Sequence, residues 1–397
     1  MAVKAGYKQT EVGVIPEDWR VKELKDIADI RGGGTPSTAQ GNFWDGGILW
    51  CTPTDITGLK GHKYLNKTSR TISEQGLKAS SAELIPKHSI VMTSRATIGE
   101  CAINDTPITT NQGFKNFIPE KDIDVEFLYY LLLTQKPGFI SLSSGSTFLE
   151  IGKNQLKTYL VPLPPTLAEQ EAIAAALSDA DALIAALEGL IAKKRQIKQG
   201  AMQRFFAPQD NWVEKRLGET ATLKARIGWQ GLTTKEYLDS GEYYLITGTE
   251  FKNGFIDWAN CHYVAKERFD QDKNIQVQEN DVLVTKDGTI GKVALAKSLE
   301  KPATLNSGVF VIRPINDAFD PVFFYYLLLS DVFTNFLNQL SAGSTINHLY
   351  QKDFVNFVYQ TPQTVEEQIA IAEILSDMDA EIEMLAAKLS KARQVKQ

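Results

Sequence analysis

The sequence predicts a mixed α/β (α+β) protein in which two pseudo-symmetric globular domains are joined by two long antiparallel helices forming a coiled coil. Three observations carry that expectation. A 34-residue segment from Thr166, TLAEQEAIAAALSDADALIAALEGLIAKKRQIKQ, returns 198 residues later at Thr364 with 18 identical positions. In both copies the apolar residues fall in alternating steps of four and three, the period of a coiled-coil seam. Each copy follows a stretch of short apolar runs broken by Gly, Asn and Pro, the pattern of strands and turns.

The totals set the bounds. A chain of 397 residues is long enough for two or more domains with their own cores. With 43% hydrophobic and 23% charged residues it reads as an ordinary globular protein. Glu188 interrupts the apolar run ALIAALEGLIA, so no segment is long enough to cross a bilayer. The start, MAVKAGYKQTEVG, lacks a secretory apolar core, and a cytoplasmic location is expected. Cys51, Cys101 and Cys261 are too few and too scattered for a disulfide framework or a zinc site, and are expected to be buried thiols. The net charge of −6 argues mildly against nucleic-acid binding. The distribution of charge decides that question, not the total.

The repeat runs through the chain. YYLLL occurs at Tyr129 and Tyr325, TSRATIG from Thr93 matches TKDGTIG from Thr285, and Asn111-Gln-Gly matches Asn306-Ser-Gly. Gly145-Ser-Thr is echoed at Gly343, and Trp19 and Trp212 open their units. The expected division is a globular domain over 1–160, a helical region over 161–207, a second globular domain over 208–360 and a second helical region over 361–397. Two copies are too few for a solenoid. HSIVMTS, NDVLVTK and GVFVIRP read as strands, and VEFLYYLLLTQ and PVFFYYLLLSDVFTNFLNQL as buried helices.

Thr166 with Glu169, and Thr364 with Glu367, fit the T-x-x-E capping box that starts a helix. PLPP blocks helix upstream of the first. The expected helix–helix packing residues are Ile173, Leu177, Ala180, Ile184, Leu187 and Ile191 in one, and Ile371, Leu375, Met378, Ile382, Leu385 and Leu389 in the other. Leu183, Leu190 and Ile197 widen the first stripe and offer a further contact surface. Both helices begin acidic and end basic, so an antiparallel pair sets each basic end beside the other's acidic start. At 1.5 Å per residue each is about 50 Å long.

No enzyme signature is present. RGGGTP lacks the G-x-G-x-x-G spacing, and GTIGK falls short of a P-loop. The four histidines show no metal spacing, and Asp179 and Asp181 do not share a helix face, which reads as a solvated surface or a partner contact. What remains is a set of turns rich in hydroxyl, amide and guanidinium groups, which suit phosphate oxygens and base edges. The candidates for DNA contact are Thr35, Ser37, Thr52, Thr54, Arg95, Thr97, Asn111, Gln112, Ser146 and Thr147 in the first domain. In the second they are Arg226, Trp229, Gln230, Thr247, Thr249, Lys286, Thr289, Asn306, Ser307, Ser344 and Thr345. The bland alternative is that these are ordinary turn residues.

YKQTEVGVIPEDW, GGGTPST with FWDGGILWCTPTDI, SRATIG, TTNQGF and VPLPPTLAEQEAIAAALSDADALI occur in an order that resembles the specificity subunit of Type I restriction–modification enzymes. The likeness covers essentially the whole chain. KARIGWQG stands in the second domain where RGGGTPST stood in the first, as two divergent target-recognition domains require. The resemblance implies a non-catalytic chain that binds double-stranded DNA at an asymmetric bipartite target. It implies two methyltransferase subunits docked on the helices, and restriction/translocase subunits beyond them, in defence against foreign DNA. It implies no cofactor on this chain, with S-adenosylmethionine, ATP and Mg on the partner subunits, and no membrane association. It also implies a tail after the second helix comparable to GAMQRFFAP, where this sequence stops; YKQTEVGVIPEDW is the expected substitute at that end. The alternative function is a coiled-coil scaffold that dimerises other proteins without reading DNA.

Overall fold

A computed structural model of the chain describes residues 4–144, 149–341 and 348–396. The chain divides into two compact units, Met1–Leu183 with Lys396–Gln397, and Ile184–Val395. Each is a mixed α/β body, as the alternation of short apolar runs and buried helices predicts.

In the first unit a five-stranded sheet has the order Ala28–Gly32, Phe114–Pro119, Ile90–Thr93, Cys101–Asn104, Tyr64–Leu65. A second sheet sets Trp44–Cys51 between Ile108–Thr110 and Arg70–Ile72. The helix Val125–Thr134 buries Phe127, Leu128, Tyr129 and Leu132 against Ile90, Met92 and Ile103 of the larger sheet. Asp124 caps it, accepting from the Phe127 N–H at 2.8 Å. A two-stranded ladder, Arg20–Glu23 with Leu160–Leu163, leads into the first long helix, Leu167–Phe205.

The second unit repeats this plan. Its larger sheet runs Ala221–Lys224, Val309–Pro314, Val282–Thr285, Val293–Leu295, Phe255–Ile256, Phe251–Lys252. Its smaller one runs His262–Val264, Tyr243–Ile246, Ala303–Leu305, Gln276–Val277. The segment expected as one helix from Pro321 is two, Pro321–Leu329 and Asp331–Leu340. Ser330 takes an extended ψ of 173° and its hydroxyl caps the second piece at the Val332 N–H. That is a residue type that competes with helix by bonding nearby backbone.

Both long helices start where the sequence places them, but only half of each capping box forms. The Glu169 N–H donates to Thr166 Oγ1 at 3.2 Å and the Glu367 N–H to Thr364 Oγ1 at 3.3 Å. The Glu169 carboxylate turns away and accepts from Trp19 Nε1 at 2.9 Å. The neighbouring glutamines are buried and secure the joint: Gln170 Oε1 accepts from the Asp124 N–H and Gln368 Oε1 from the Asp320 N–H. The first turns of the two seams pack onto globular cores, Ile173, Ala174 and Leu177 on the first and Ile371, Ala372, Leu375 and Met378 on the second.

Within the second unit the residues 184–205 of the first helix lie antiparallel to the second, Val365–Lys396. Partner numbers fall as residue numbers rise: Glu188 pairs with Arg393 at 2.6 Å, Lys194 with Glu381 at 2.7 Å, and Lys198 with Asp379 at 2.5 Å. Ile184, Leu187 and Ile191, and Ile382, Leu385 and Leu389, form the buried or half-buried stripe along these stretches. The basic ends meet mid-helix acids, not the acidic starts that charge patterning suggested. In this register Lys396 falls beside Asp181.

Candidate nucleic-acid interface

Strand register brings four of the predicted loops of the first unit to one sheet edge. Cys51 pairs in parallel with Thr110, Phe114 faces Thr93, and Lys115 faces Gly32. The chain therefore leaves its strands on the same side before Gly33–Ser37, Thr52–Asp55, Ser94–Thr97 and Asn111–Gly113. Hydrogen bonds tie these loops together: Gly34 N–H to the Thr110 carbonyl at 2.8 Å, Asn111 N–H to Cys51 O at 3.0 Å, and Ser94 N–H to Gly113 O at 2.7 Å. Thr35 donates from its hydroxyl to Gln112 Oε1. Gly33 admits no side chain, for a Cβ there would collide with the Asn111 carbonyl and the Thr110 hydroxyl. Two tryptophans pin the same loop, Trp50 Nε1 donating to Gly34 O at 2.9 Å and Trp44 Nε1 to Ser37 O at 3.1 Å.

The second unit assembles the same edge from its own residues. Ile246 pairs in parallel with Leu305, Thr285 faces Val309, and Lys224 faces Val311. Asn306 N–H donates to Ile246 O at 2.8 Å and Lys286 N–H to Gly308 O at 2.9 Å, the counterparts of the Asn111 and Ser94 bonds.

Of the predicted residues, Ser37, Thr54, Arg95, Thr97, Gln112, Thr249 and Thr289 are exposed, and Thr35, Thr52, Asn111, Gln230, Thr247, Lys286 and Ser307 are half-buried. Arg226 and Asn306 belong to the interior. Arg226 is 1% exposed, its guanidinium donating to Leu305 O, Arg268 O, Thr304 Oγ1 and Gln271 Oε1. Burial lowers its pKa, and Arg268 adds to that. Asn306 Oδ1 accepts from Leu232 N–H at 3.0 Å and Ser307 N–H at 2.8 Å, while its amide donates to Leu232 O and to the Tyr237 hydroxyl. These side chains hold the loop from Arg226 onto the smaller sheet, and neither presents a group outward. Asp181, read from the sequence as a solvated surface or a partner contact, accepts from Tyr130 and Lys396. Ser146, Thr147, Ser344 and Thr345, and the side chain of Trp229, lie outside the described residues.

Three charged residues of the first edge escaped sequence reading. Glu150 accepts from Arg95 Nε at 2.7 Å and from Lys115 Nζ at 3.4 Å, and Lys115 also reaches Ser94 Oγ at 3.2 Å. Burial lowers the pKa of the Lys115 ammonium against the pull of Glu150. For Glu150 burial acts upward, and Arg95 and Lys115 outweigh it, leaving the carboxyl below its ordinary value. Arg70 lies with its guanidinium carbon 3.6 Å from the Trp44 ring centroid, a cation–π contact. Lys115 sits in the strand Phe114–Pro119 and carries no turn signal. Asp55 and Glu250 did carry one, as the acid ending both TPTD and TGTE.

All three cysteines are buried, and burial pushes the Cys261 thiol up to about 12. Among the described residues no group of three or more His, Cys, Asp or Glu is arranged to hold a metal ion, and no helix is long and apolar enough to cross a membrane.

The family model of the Type I restriction modification DNA specificity domain matches the chain twice, over residues 16–199 and 209–394. The MjaIX specificity subunit of a Type I restriction enzyme from Methanocaldococcus jannaschii is 43% identical over 180 residues, 45% of this chain and 41% of that protein, so the chain matches less than half of that relative's length. The MjaVIII specificity subunit of the same organism is 24% identical over 392 residues, covering 93% of this chain and 88% of the relative. The crystal structure of a Type I restriction–modification system S subunit from M. genitalium shares the fold, with a TM-score of 0.61 at 18% identity, over 95% of this chain and 94% of that one. With one domain model matched in both of its repeats, the chain belongs to the Type I restriction–modification DNA specificity family.

Proposed function

We propose that this chain is the sequence-reading subunit of a Type I restriction–modification complex. Each unit reads one half of an asymmetric bipartite duplex target, and the stretch between the halves goes unread. The observation that carries this is the doubled loop edge: four loops rich in hydroxyl and amide groups converge in each unit, built from different side chains on one strand plan. Hydroxyls and backbone N–H groups suit phosphate oxygens, while Thr, Asn, Gln and Arg suit base edges. The divergence between the two edges accords with unlike half-sites.

In this reading the chain contributes recognition and its partners contribute chemistry. Two methyltransferase subunits bring S-adenosylmethionine and methylate adenine in each half, and restriction/translocase subunits bring ATP and Mg, all in the cytoplasm. Leu183, Leu190 and Ile197, at 53%, 40% and 47% exposure on the first long helix, offer the methyltransferases an apolar stripe. The helices set the number of unread base pairs.

The test is to express the chain with its methyltransferase subunits and map methylated adenines across a genome by long-read sequencing. A bipartite motif with a fixed spacer is expected. Lengthening both long helices by two turns should lengthen that spacer and leave the half-sites unchanged. A complex that shifts no duplex at low salt, and leaves no methylated motif, would favour the scaffold alternative.

A further inference from the structure

The turn that follows the central strand of the smaller sheet carries the same four-residue device in both units. In the first, Thr52 Oγ1 lies 2.6 Å and Thr52 N 2.7 Å from Asp55 Oδ2, and Thr54 Oγ1 lies 2.8 Å from Thr52 Oγ1. Asp55 Oδ1 accepts from the Ser69 N–H at 2.8 Å. In the second, Thr247 Oγ1 and Thr249 Oγ1 lie 2.8 and 2.9 Å from Glu250 Oε1, and 2.9 Å from each other. Glu250 Oε2 accepts from the N–H groups of Thr247 and Gly248.

A carboxylate only accepts, and a hydroxyl has one proton. Asp55 therefore takes the Thr52 proton, which obliges Thr54 to donate to Thr52. Glu250 takes the protons of the second pair. Thr54 and Thr249 are exposed, and each hydroxyl oxygen, its proton committed, keeps accepting capacity. Burial alone would raise the Asp55 pKa; the bonds from Thr52 and Ser69 outweigh it and keep this group an ionised acceptor.

The bland reading is a capping box, and in the first unit Thr52 does cap the short helix Pro53–Thr57. In the second unit no helix follows: after Glu250 the chain enters the strand Phe251–Lys252. The acid-tethered threonine pair recurs without anything to cap.

A hydroxyl whose proton is committed inward is a poor partner for phosphate, which offers only acceptors. It suits a donor. In the major groove the base donors are the amino groups of adenine N6 and cytosine N4, while guanine and thymine present acceptors there. Resting on the DNA-recognition reading above, we propose that Thr54 and Thr249 are specificity-determining residues. Each accepts a hydrogen bond from the amino group of an adenine or cytosine in its own half-site. Asp55 and Glu250 are positioning residues that hold the hydroxyls as acceptors.

The complex with its methyltransferase subunits provides the test. Thr54→Val keeps the shape and removes the oxygen. Its methylation motif should lose discrimination at one position of one half-site, and Thr249→Val should do so in the other half only. At the relaxed position, synthetic duplexes in which purine replaces adenine, or 4-deamino-pyrimidinone replaces cytosine, lack the amino group. They should bind the wild-type complex about five- to tenfold more weakly, the worth of one neutral hydrogen bond, and bind the valine variant unchanged. Asp55→Asn, whose amide can donate to Thr52, should weaken binding of the natural duplex but not of the amino-less one. Equal weakening on both duplexes would overturn the positioning role. A wild-type motif retained by both valine variants, or uniform weakening with no relaxed position, overturns the inference while leaving DNA recognition intact. Failure of the wild-type complex to produce a bipartite motif sinks the underlying reading instead.

Discussion

The Tyr130 hydroxyl donates to Asp181 Oδ2 at 2.8 Å, and 196 residues on in the sequence the Tyr326 hydroxyl donates to Asp379 Oδ2 at the same distance. Each carboxylate also receives a lysine from the C-terminal part of the opposite long helix, Lys396 for Asp181 and Lys198 for Asp379. Each ammonium lies over its tyrosine ring, 5.6 and 5.1 Å from the centroid. In both units one carboxylate thus joins the buried domain helix, its own long helix and the end of the other. Removing Asp379 by alanine leaves Lys198, 16% exposed, without its acceptor and Tyr326 with Ser376 Oγ at 3.3 Å, and should cost about 2–3 kcal/mol. Tyr326→Phe removes the hydroxyl's contacts with Asp379 and with Ser376 Oγ and keeps the ring, and should cost about 1–2 kcal/mol. Denaturant unfolding of both variants checks the order; a smaller loss for the alanine than for the phenylalanine would contradict this account.

This joint shows where sequence reading stops. The repeat, both helix starts and the seam were visible because their signals are local: a capping threonine, a period, an identity at fixed offset. The second aspartate of SDAD and SDMD was visible as an identity, yet its partners lie 51 and 215 residues away from Asp181. Only folding brings them together, so the sequence alone shows a solvated surface or a partner contact. Arg226 misled for the same reason. Its neighbours Gly228 and Gly231 signal a turn, and nothing local says that the guanidinium folds back onto the carbonyls of Leu305 and Arg268.

Acid should loosen the first unit. Glu126 accepts from Lys63 at 2.6 Å and from the hydroxyls of Tyr64 and Ser178. Burial acts to raise its pKa, but these partners prevail and hold it below the ordinary value of 4.5; Glu150 is held low likewise. A carboxyl depressed in the folded state stabilises it above the unfolded pKa, and that contribution is lost as pH falls through the folded value. The loss should therefore fall below pH 4.5. Glu126→Gln should lower the thermal midpoint at pH 7 and flatten its decline on the acid side. An unchanged acid limb would show that the group does not titrate with unfolding.

The loop TSRATIG and its counterpart TKDGTIG test backbone strain in opposite senses. Ala96 has φ of 56° and Gly288, at the matching position, 67°. Left-handed backbone costs a residue with a Cβ about 1 kcal/mol, and the Cβ of an alanine at 288 would meet nothing within 4 Å. Gly288→Ala should thus destabilise by about 1 kcal/mol through conformation alone. Ala96→Gly should stabilise by less than that, since glycine's extra freedom in the unfolded chain offsets part of the relief. Thermal unfolding of the pair checks both signs.

Gly33 offers a test of whether the two edges act separately. A methyl group there must displace the Asn111 carbonyl, because the loop from Gly33 already holds the Thr110 carbonyl through Gly34 and the Gln112 side chain through Thr35. The backbone cannot yield without opening the contact between Gly33–Ser37 and Asn111–Gly113. The second unit ties its own loops through Asn306 and Lys286. Gly33→Ala should therefore abolish reading of one half-site, while the other half keeps its bases in whatever weak methylation survives. Selection of methylated duplexes from a randomised pool, with the variant chain in its methyltransferase complex, shows this directly. Equal loss of sequence preference in both halves would mean that the edges do not read independently.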